Sequence, residues 1–74
     1  MSIHFRKEDE NLFSYKKYSV IRDKNKMTDY EVSKMSGVPT ATLSNWKAGR
    51  YTPKVDKIQK IAIVFGVSIE YFLE

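Results

Sequence analysis

The chain has 74 residues, enough for one small domain that hides roughly 60% of its unfolded surface, with no room for a second. It carries no cysteine and a single histidine, His4, which excludes a disulfide framework, a thiolate metal site and a histidine cluster. A net charge of +4 and a pI near 9.4 suit an acidic partner without demanding one, and no apolar run approaches the roughly 20 residues of a membrane span. The first residues lack the apolar stretch of a signal peptide, so a cytoplasmic protein is expected.

The opening stretch, MSIHFRKEDENL, is the least informative. Ile3 and Phe5 alternate with His4 and Arg6 in a short strand pattern. Glu8, Asp9 and Glu10 then read as a solvated or helix-initiating acidic run. A loosely packed N-terminal arm over residues 1–12 is the plainer reading; an arm that pairs with a second subunit or reaches a nucleic acid is the sharper one. A first helix is expected over about residues 13–25, with Lys16, Lys17 and Lys24 outside and contact of Lys16 and Lys17 with phosphate as an option. Lys24-Asn25-Lys26 breaks it, and Met27 plugs the core just ahead of the next element.

Thr28 stands where an N-cap belongs and Glu31 follows three residues later, the capping-box pattern that opens a second helix. Val32 and Met35 fall on one face of it, with Ser33 and Lys34 turned away. Gly37 ends the helix in the left-handed region, and Pro39 restarts the chain as the first turn of a third. There Leu43 and Trp46 form the apolar stripe, while Thr40, Ala41, Ser44, Asn45 and Lys47 face outward and Gly49 closes the element.

From Lys54 onward the apolar residues Val55, Ile58, Ile61, Ala62 and Phe65 keep a helical period. Gly66 ends that fourth helix. Ser68 caps a final turn and a half in which Ile69, Phe72 and Leu73 reach the core. The expectation is an all-α domain of five helices over residues 13–74, with no sheet.

Two short helices joined through a glycine turn, the second with a small polar outer face, form a helix-turn-helix pattern. Residues Thr28, Glu31, Val32, Ser36, Gly37, Val38, Thr42, Leu43, Ser44, Trp46, Gly49, Arg50 and Pro53 resemble the phage repressor/Cro-type helix-turn-helix family, often called the XRE family. The resemblance continues through Ile61-Ala62 and the run from Phe65 to Leu73. It implies a lambda-repressor-like DNA-binding domain whose helix-turn-helix is formed by helices 2 and 3. In the first helix it turns Tyr18, Ile21 and Arg22 towards the other helices, with Val20 flanking.

A helix that enters the major groove must be slim on its outer face, with side chains in its first turn that reach base edges. Thr40, Ala41, Ser44 and Asn45 satisfy this and match the family's base-reading positions on the helix expected over 39–48. Asn45 can pair with adenine N6 and N7, Thr40 and Ala41 can offer methyl contact to thymine, and Ser44 can donate or accept. The free N–H groups near Thr28 and Tyr30 match the family's phosphate-binding helix end, and Thr42, Arg50 and Lys54 match further phosphate or groove-edge positions. Asp29 stands where many members have glutamine, and its carboxylate would repel phosphate, so no DNA contact is assigned to it. From Lys34 to Lys60 six basic residues stand against Asp56 alone, an excess of five, while the rest of the chain has seven basic and eight acidic residues. The plainer reading of that basic excess is an ordinary solvated face.

One departure from the family concerns Arg22, which matches an arginine that pairs in relatives with a glutamate where this chain has Lys47. Like charges at about 4 Å repel by several kcal/mol at an effective dielectric near 20. Lys47 is therefore expected to swing outward, to solvent or a DNA phosphate, and Arg22 to find backbone carbonyls or Glu31. Restoring a glutamate at 47 would then rebuild the bridge.

No pairing of Asp9 or Asp23 with His or Cys suggests catalysis, and no acidic cluster suggests a metal, so neither an enzyme nor a cofactor is expected. The reading is a sequence-specific transcriptional regulator, a repressor first of all, that binds operator DNA as a homodimer, at least on DNA. A second reading is a protein-interaction module such as an antitoxin or anchor domain, which Tyr15, Tyr51 and Tyr71 would favour if exposed together. RNA binding is disfavoured because aromatic residues do not line the basic face. The dimer surfaces on offer are the last helix with Tyr71 and the arm with Ile3 and Phe5.

Overall fold

The computed structural model describes residues 13–73. Within them lie α1 (Tyr15–Lys24), α2 (Asp29–Ser36), α3 (Thr40–Lys47) and α4 (Val55–Phe65), then a 3-10 turn at Ile69–Phe72. The all-α expectation holds, but the count of five is corrected to four: the last element is a single tight turn. Ser68 starts it, its hydroxyl accepting from the Glu70 N–H at 3.2 Å. It stops because Leu73 must be extended (φ −73°, ψ 143°) to form an isolated antiparallel bridge with Phe13. The Ser14 N–H closes the same junction by donating to the Phe72 carbonyl at 2.7 Å. The expected arm over 1–12, with its strand and acidic run, lies outside the described residues.

That terminal bridge also explains why α1 begins two residues later than the pattern suggests. Phe13 is held extended, and Ser14 becomes the N-cap, its side chain accepting from the Lys17 N–H at 3.2 Å. The Lys17 ammonium donates to the Leu73 carbonyl at 2.6 Å across the same junction.

The capping box of α2 is complete. Thr28 Oγ1 accepts from the Glu31 N–H at 3.1 Å, and Glu31 Oε1 accepts from the Thr28 N–H at 2.9 Å. Gly37 takes φ 82° and passes its N–H to the Ser33 carbonyl, a conformation that an L side chain adopts at a cost. Pro39 serves as the residue before α3 (φ −59°, ψ 145°), one position earlier than the first turn expected for it.

Tyr18, Val32, Val38, Leu43, Ile58, Ile61, Ala62 and Phe72 are fully buried, with Ile21 and Trp46 beside them. Met27, Phe65 and Ile69 pack against this core. α2 packs on both α3 and α4, and the 3-10 turn packs on α1 and α4. Two expected core residues are corrected. Met35 is 66% exposed and Val55 is 56% exposed. Each lies on the right side of its helix but at an end: Met35 in the last turn of α2, Val55 at the first residue of α4. A neighbouring helix covers the middle of such a stripe before its ends, and Val38, just past the Gly37 turn, is the buried residue there.

No helix among the described residues is long and apolar enough to cross a membrane.

Candidate nucleic-acid interface

The inner face of α3 is anchored first, because that anchoring decides what its outer face can present. Leu43 is fully buried and Trp46 nearly so. The Trp46 indole stacks on Tyr18 (centroids 5.4 Å, 26° between planes) and meets the Tyr15 ring edge-on at 5.5 Å. Its Nε1–H donates to the Phe13 carbonyl at 3.3 Å. α3 is thereby tied to α1 and to the terminal bridge, and Trp46 belongs to the core as expected.

Thr40, Ala41 and Ser44 are exposed on the opposite arc, and Asn45 is half-buried beside them. Positions i, i+1, i+4 and i+5 share one side of a helix, so these four candidates for base reading form a single surface. None of the three exposed ones has a side-chain bond that the fold requires. Asn45 differs. Its Oδ1 accepts from the Arg50 guanidinium at 2.9 Å, and its Nδ2 donates to the Tyr51 hydroxyl at 3.3 Å. Arg50 donates its own backbone N–H to the Asn45 carbonyl at 2.9 Å, which folds the loop after α3 back over that side chain.

Among the candidates for phosphate contact, Tyr30, Lys47, Arg50 and Lys54 are exposed and Thr42 is half-buried. Lys34 places its ammonium 5.6 Å from the Tyr30 ring centroid, so a cation accompanies that side chain. At the start of α2 the capping box consumes the N–H groups of Thr28 and Glu31. The N–H groups of Asp29 and Tyr30, which no capping bond uses, remain for an anion. Thr28 therefore acts as the cap, its backbone N–H spent and its hydroxyl hydrogen left to donate.

Asp29 is the residue that sequence reasoning placed least well. One carboxylate oxygen accepts from the Tyr18 hydroxyl at 2.6 Å and from the Arg22 guanidinium at 2.8 Å. The other accepts from the Tyr15 hydroxyl at 3.3 Å, and Arg22 also donates to that hydroxyl at 2.9 Å. Arg22 thus pairs with Asp29, and with Asp23 at 2.9 Å, in place of the backbone carbonyls or Glu31 expected for it. Burial alone would raise the Asp29 pKa; the Tyr18 hydroxyl, the Arg22 guanidinium and the Tyr15 hydroxyl outweigh it and hold the carboxyl below its usual value. Burial, reinforced by the neighbouring carboxylate, pushes the Tyr18 phenol well above its ordinary pKa. The carboxylate at the mouth of α2 is therefore a matched charge, and Arg22 already has carboxylate partners without a glutamate at position 47. A signal for this pairing was present in the seven-residue spacing of Arg22 and Asp29 across the break at 25–28, but a local pattern cannot close it.

Tyr51 joins the site as well; the sequence places it only among the tyrosines of the rival reading, because its contact with Asn45 depends on the course of the loop after Gly49. Among the described residues no group of three or more His, Cys, Asp or Glu could hold a metal.

A helix-turn-helix family model matches residues 20–72. Among solved structures, a hypothetical transcription factor, NHTF, from Neisseria is similar with a TM-score of 0.77 at 16% identity, over 100% of this chain and 85% of that one. A transcriptional regulator from Listeria innocua gives a TM-score of 0.66 at 19% identity, over 80% of this chain and 55% of that one. No curated protein matches. At such identities the structural likeness speaks for the fold.

Proposed function

This chain belongs to the helix-turn-helix family, and on that premise we propose that it is a sequence-specific double-stranded DNA-binding transcriptional regulator, acting as a repressor. In this reading α3 enters the major groove of an operator, with Thr40, Ala41, Ser44 and Asn45 on base edges. Thr42, Lys47, Arg50 and Lys54, with the helix end at Thr28 and Tyr30, hold phosphates or the groove edge. The observation that carries it is the outer arc of α3: a polar, small-residue surface on a helix whose inner face is locked by Leu43 and Trp46. The excess of basic residues between Lys34 and Lys60 supplies the sequence-independent attraction.

Two further parts belong to the proposal. Residues 13–74 act as the DNA-binding domain and residues 1–12 as an arm. The working form on DNA is a homodimer, which sets two recognition helices about 34 Å apart on successive major grooves. The rival protein-interaction reading keeps only part of its support: Tyr15 is half-buried, while Tyr51 and Tyr71 are exposed. Tyr15 bonds Asp29 and Arg22, Tyr51 bonds Asn45, and Tyr71 stands edge-on to Phe72 at 5.3 Å.

The test is selection of duplexes from a random pool, followed by titration of the winner at several salt concentrations, with sedimentation reading the stoichiometry. We expect two chains per duplex and a log K that falls with log salt by about 0.9 per phosphate, for about four to eight phosphates. A slope near zero would reject DNA as the main partner.

A further inference from the structure

The loop after α3 changes what Asn45 can read. An arginine can only donate hydrogen bonds, so the amide oxygen of Asn45 must face Arg50 and its nitrogen must face Tyr51. A flip of the amide would set Nδ2–H against a guanidinium and is excluded on charge alone. The oxygen lies under a cation at 2.9 Å. What the unit can turn outward is then a set of donors: the second N–H of Asn45 and the guanidinium N–H groups that Arg50 does not use on Asn45.

In the major groove an asparagine reads adenine by accepting from N6 while donating to N7. With one lone pair of its oxygen held by Arg50 and the guanidinium charge beside it, Asn45 accepts from N6 less readily than a free amide would. Guanine presents the complementary edge, because N7 and O6 are both acceptors and an arginine fork is their commonest match. Resting on the proposed DNA reading, we infer that Asn45, Arg50 and Tyr51 act as one composite reader of a guanine. Arg50 sets the specificity and Tyr51 is a positioning residue that holds the amide in register. Arg50 thereby moves from the phosphate set to the base-reading set. The arrangement makes structural sense of the loop as well. The Arg50 N–H bond to the Asn45 carbonyl holds the arginine backbone against the last turn of α3, which limits the reach of its side chain to the neighbourhood of the recognition surface.

Random-pool selection with the full chain, repeated for Arg50→Lys and Tyr51→Phe, tests this. Both positions are exposed, so both variants are expected to fold, and thermal melts verify it. For the wild type we expect a guanine at the base pair facing Asn45. Arg50→Lys keeps the charge and loses the planar fork, so it should lose the guanine preference by roughly tenfold or more while the salt slope stays unchanged. Tyr51→Phe should weaken the same preference and leave the other base positions alone. Adenine at that position in the wild type, or a preference that survives Arg50→Lys, overturns the composite reader and leaves the proposed function intact. A wild type that selects no sequence at all overturns both.

Discussion

The first turn of α2 and the outer arc of α3 are both polar, yet they do opposite work. In that turn of α2 the polar side chains, the exposed Tyr30 apart, are spent on other groups of the protein. Asp29 gathers Tyr15, Tyr18 and Arg22 from α1, and Thr28 and Glu31 satisfy each other. On α3 the polar residues face outward, and Thr40 and Ser44 hold no bond on which the fold depends. The difference teaches how a chain this short keeps a recognition surface free. A 74-residue chain has little stability to spare, so the charged network that joins α1 to α2 makes good part of what burial alone does not supply. The helix left with an uncommitted face is the one available for a partner.

The strongest way to break this contrast is Asp29→Ala. It leaves the buried Tyr18 hydroxyl and the Arg22 guanidinium without their acceptor. With Asp29 and Arg22 partly open to water, we expect a loss of about 2–3 kcal/mol, short of the 3–5 seen for fully buried pairs. That corresponds to a melting temperature lower by roughly 10–20 °C. A melt within about 2 °C of wild type would show the network to be ornamental.

Acid sharpens the same point. The Asp29 carboxyl is held below its usual pKa in the folded state, so its contribution is full above the unfolded value of about 3.9 and is lost as pH falls through the folded value. The stability gap between wild type and Asp29→Ala should be flat above about pH 5 and close below about pH 4. Denaturant midpoints at a series of pH values measure it, and a gap that widens in acid contradicts the assignment.

The smallest stability effect is expected at the other region. Because Arg22 already has Asp29, Lys47→Glu has no bridge to rebuild, and the exposed site should change stability by no more than about 0.5 kcal/mol. The same variant should bind all duplexes more weakly, since a negative charge replaces a positive one near the phosphates. Marked stabilisation in a thermal melt would mean that Arg22 prefers position 47 after all.

Legibility in the sequence divides along the same line. The capping box at Thr28, the left-handed turns at Gly37 and Gly66 and the inward stripe of Leu43 and Trp46 could be read directly, since each is decided within one helical turn of its own sequence. Met35 and Val55 could not be placed, because periodicity names a side and does not say how far the neighbouring helix extends along it. The partner of Arg22 stayed hidden for a related reason. Asp29 looked like a departure at a phosphate-binding position, and only the folded course of the chain between α1 and α2 brings Tyr15 and Tyr18 to share it. The last helix was over-read because nothing local signals that Leu73 is drawn extended by Phe13, from the far end of the chain. Asn45 was found by its place on the helix, whereas the hold of Arg50 and Tyr51 on it needed the course of the loop after Gly49.

The division of labour between the two regions is tested most directly by one protein carrying Thr40→Ala, Ser44→Ala and Asn45→Ala together. Its thermal melt is compared with that of wild type, and its affinity for the selected duplex with that for a scrambled one. We expect a cooperative melt within about 1 kcal/mol of wild type, the better helix propensity of alanine offsetting part of the lost exposed bonds of Asn45, and a selected-to-scrambled ratio that falls close to one while the scrambled affinity persists. A cooperative melt that collapses, or a preference for the selected duplex that survives all three changes, would contradict it.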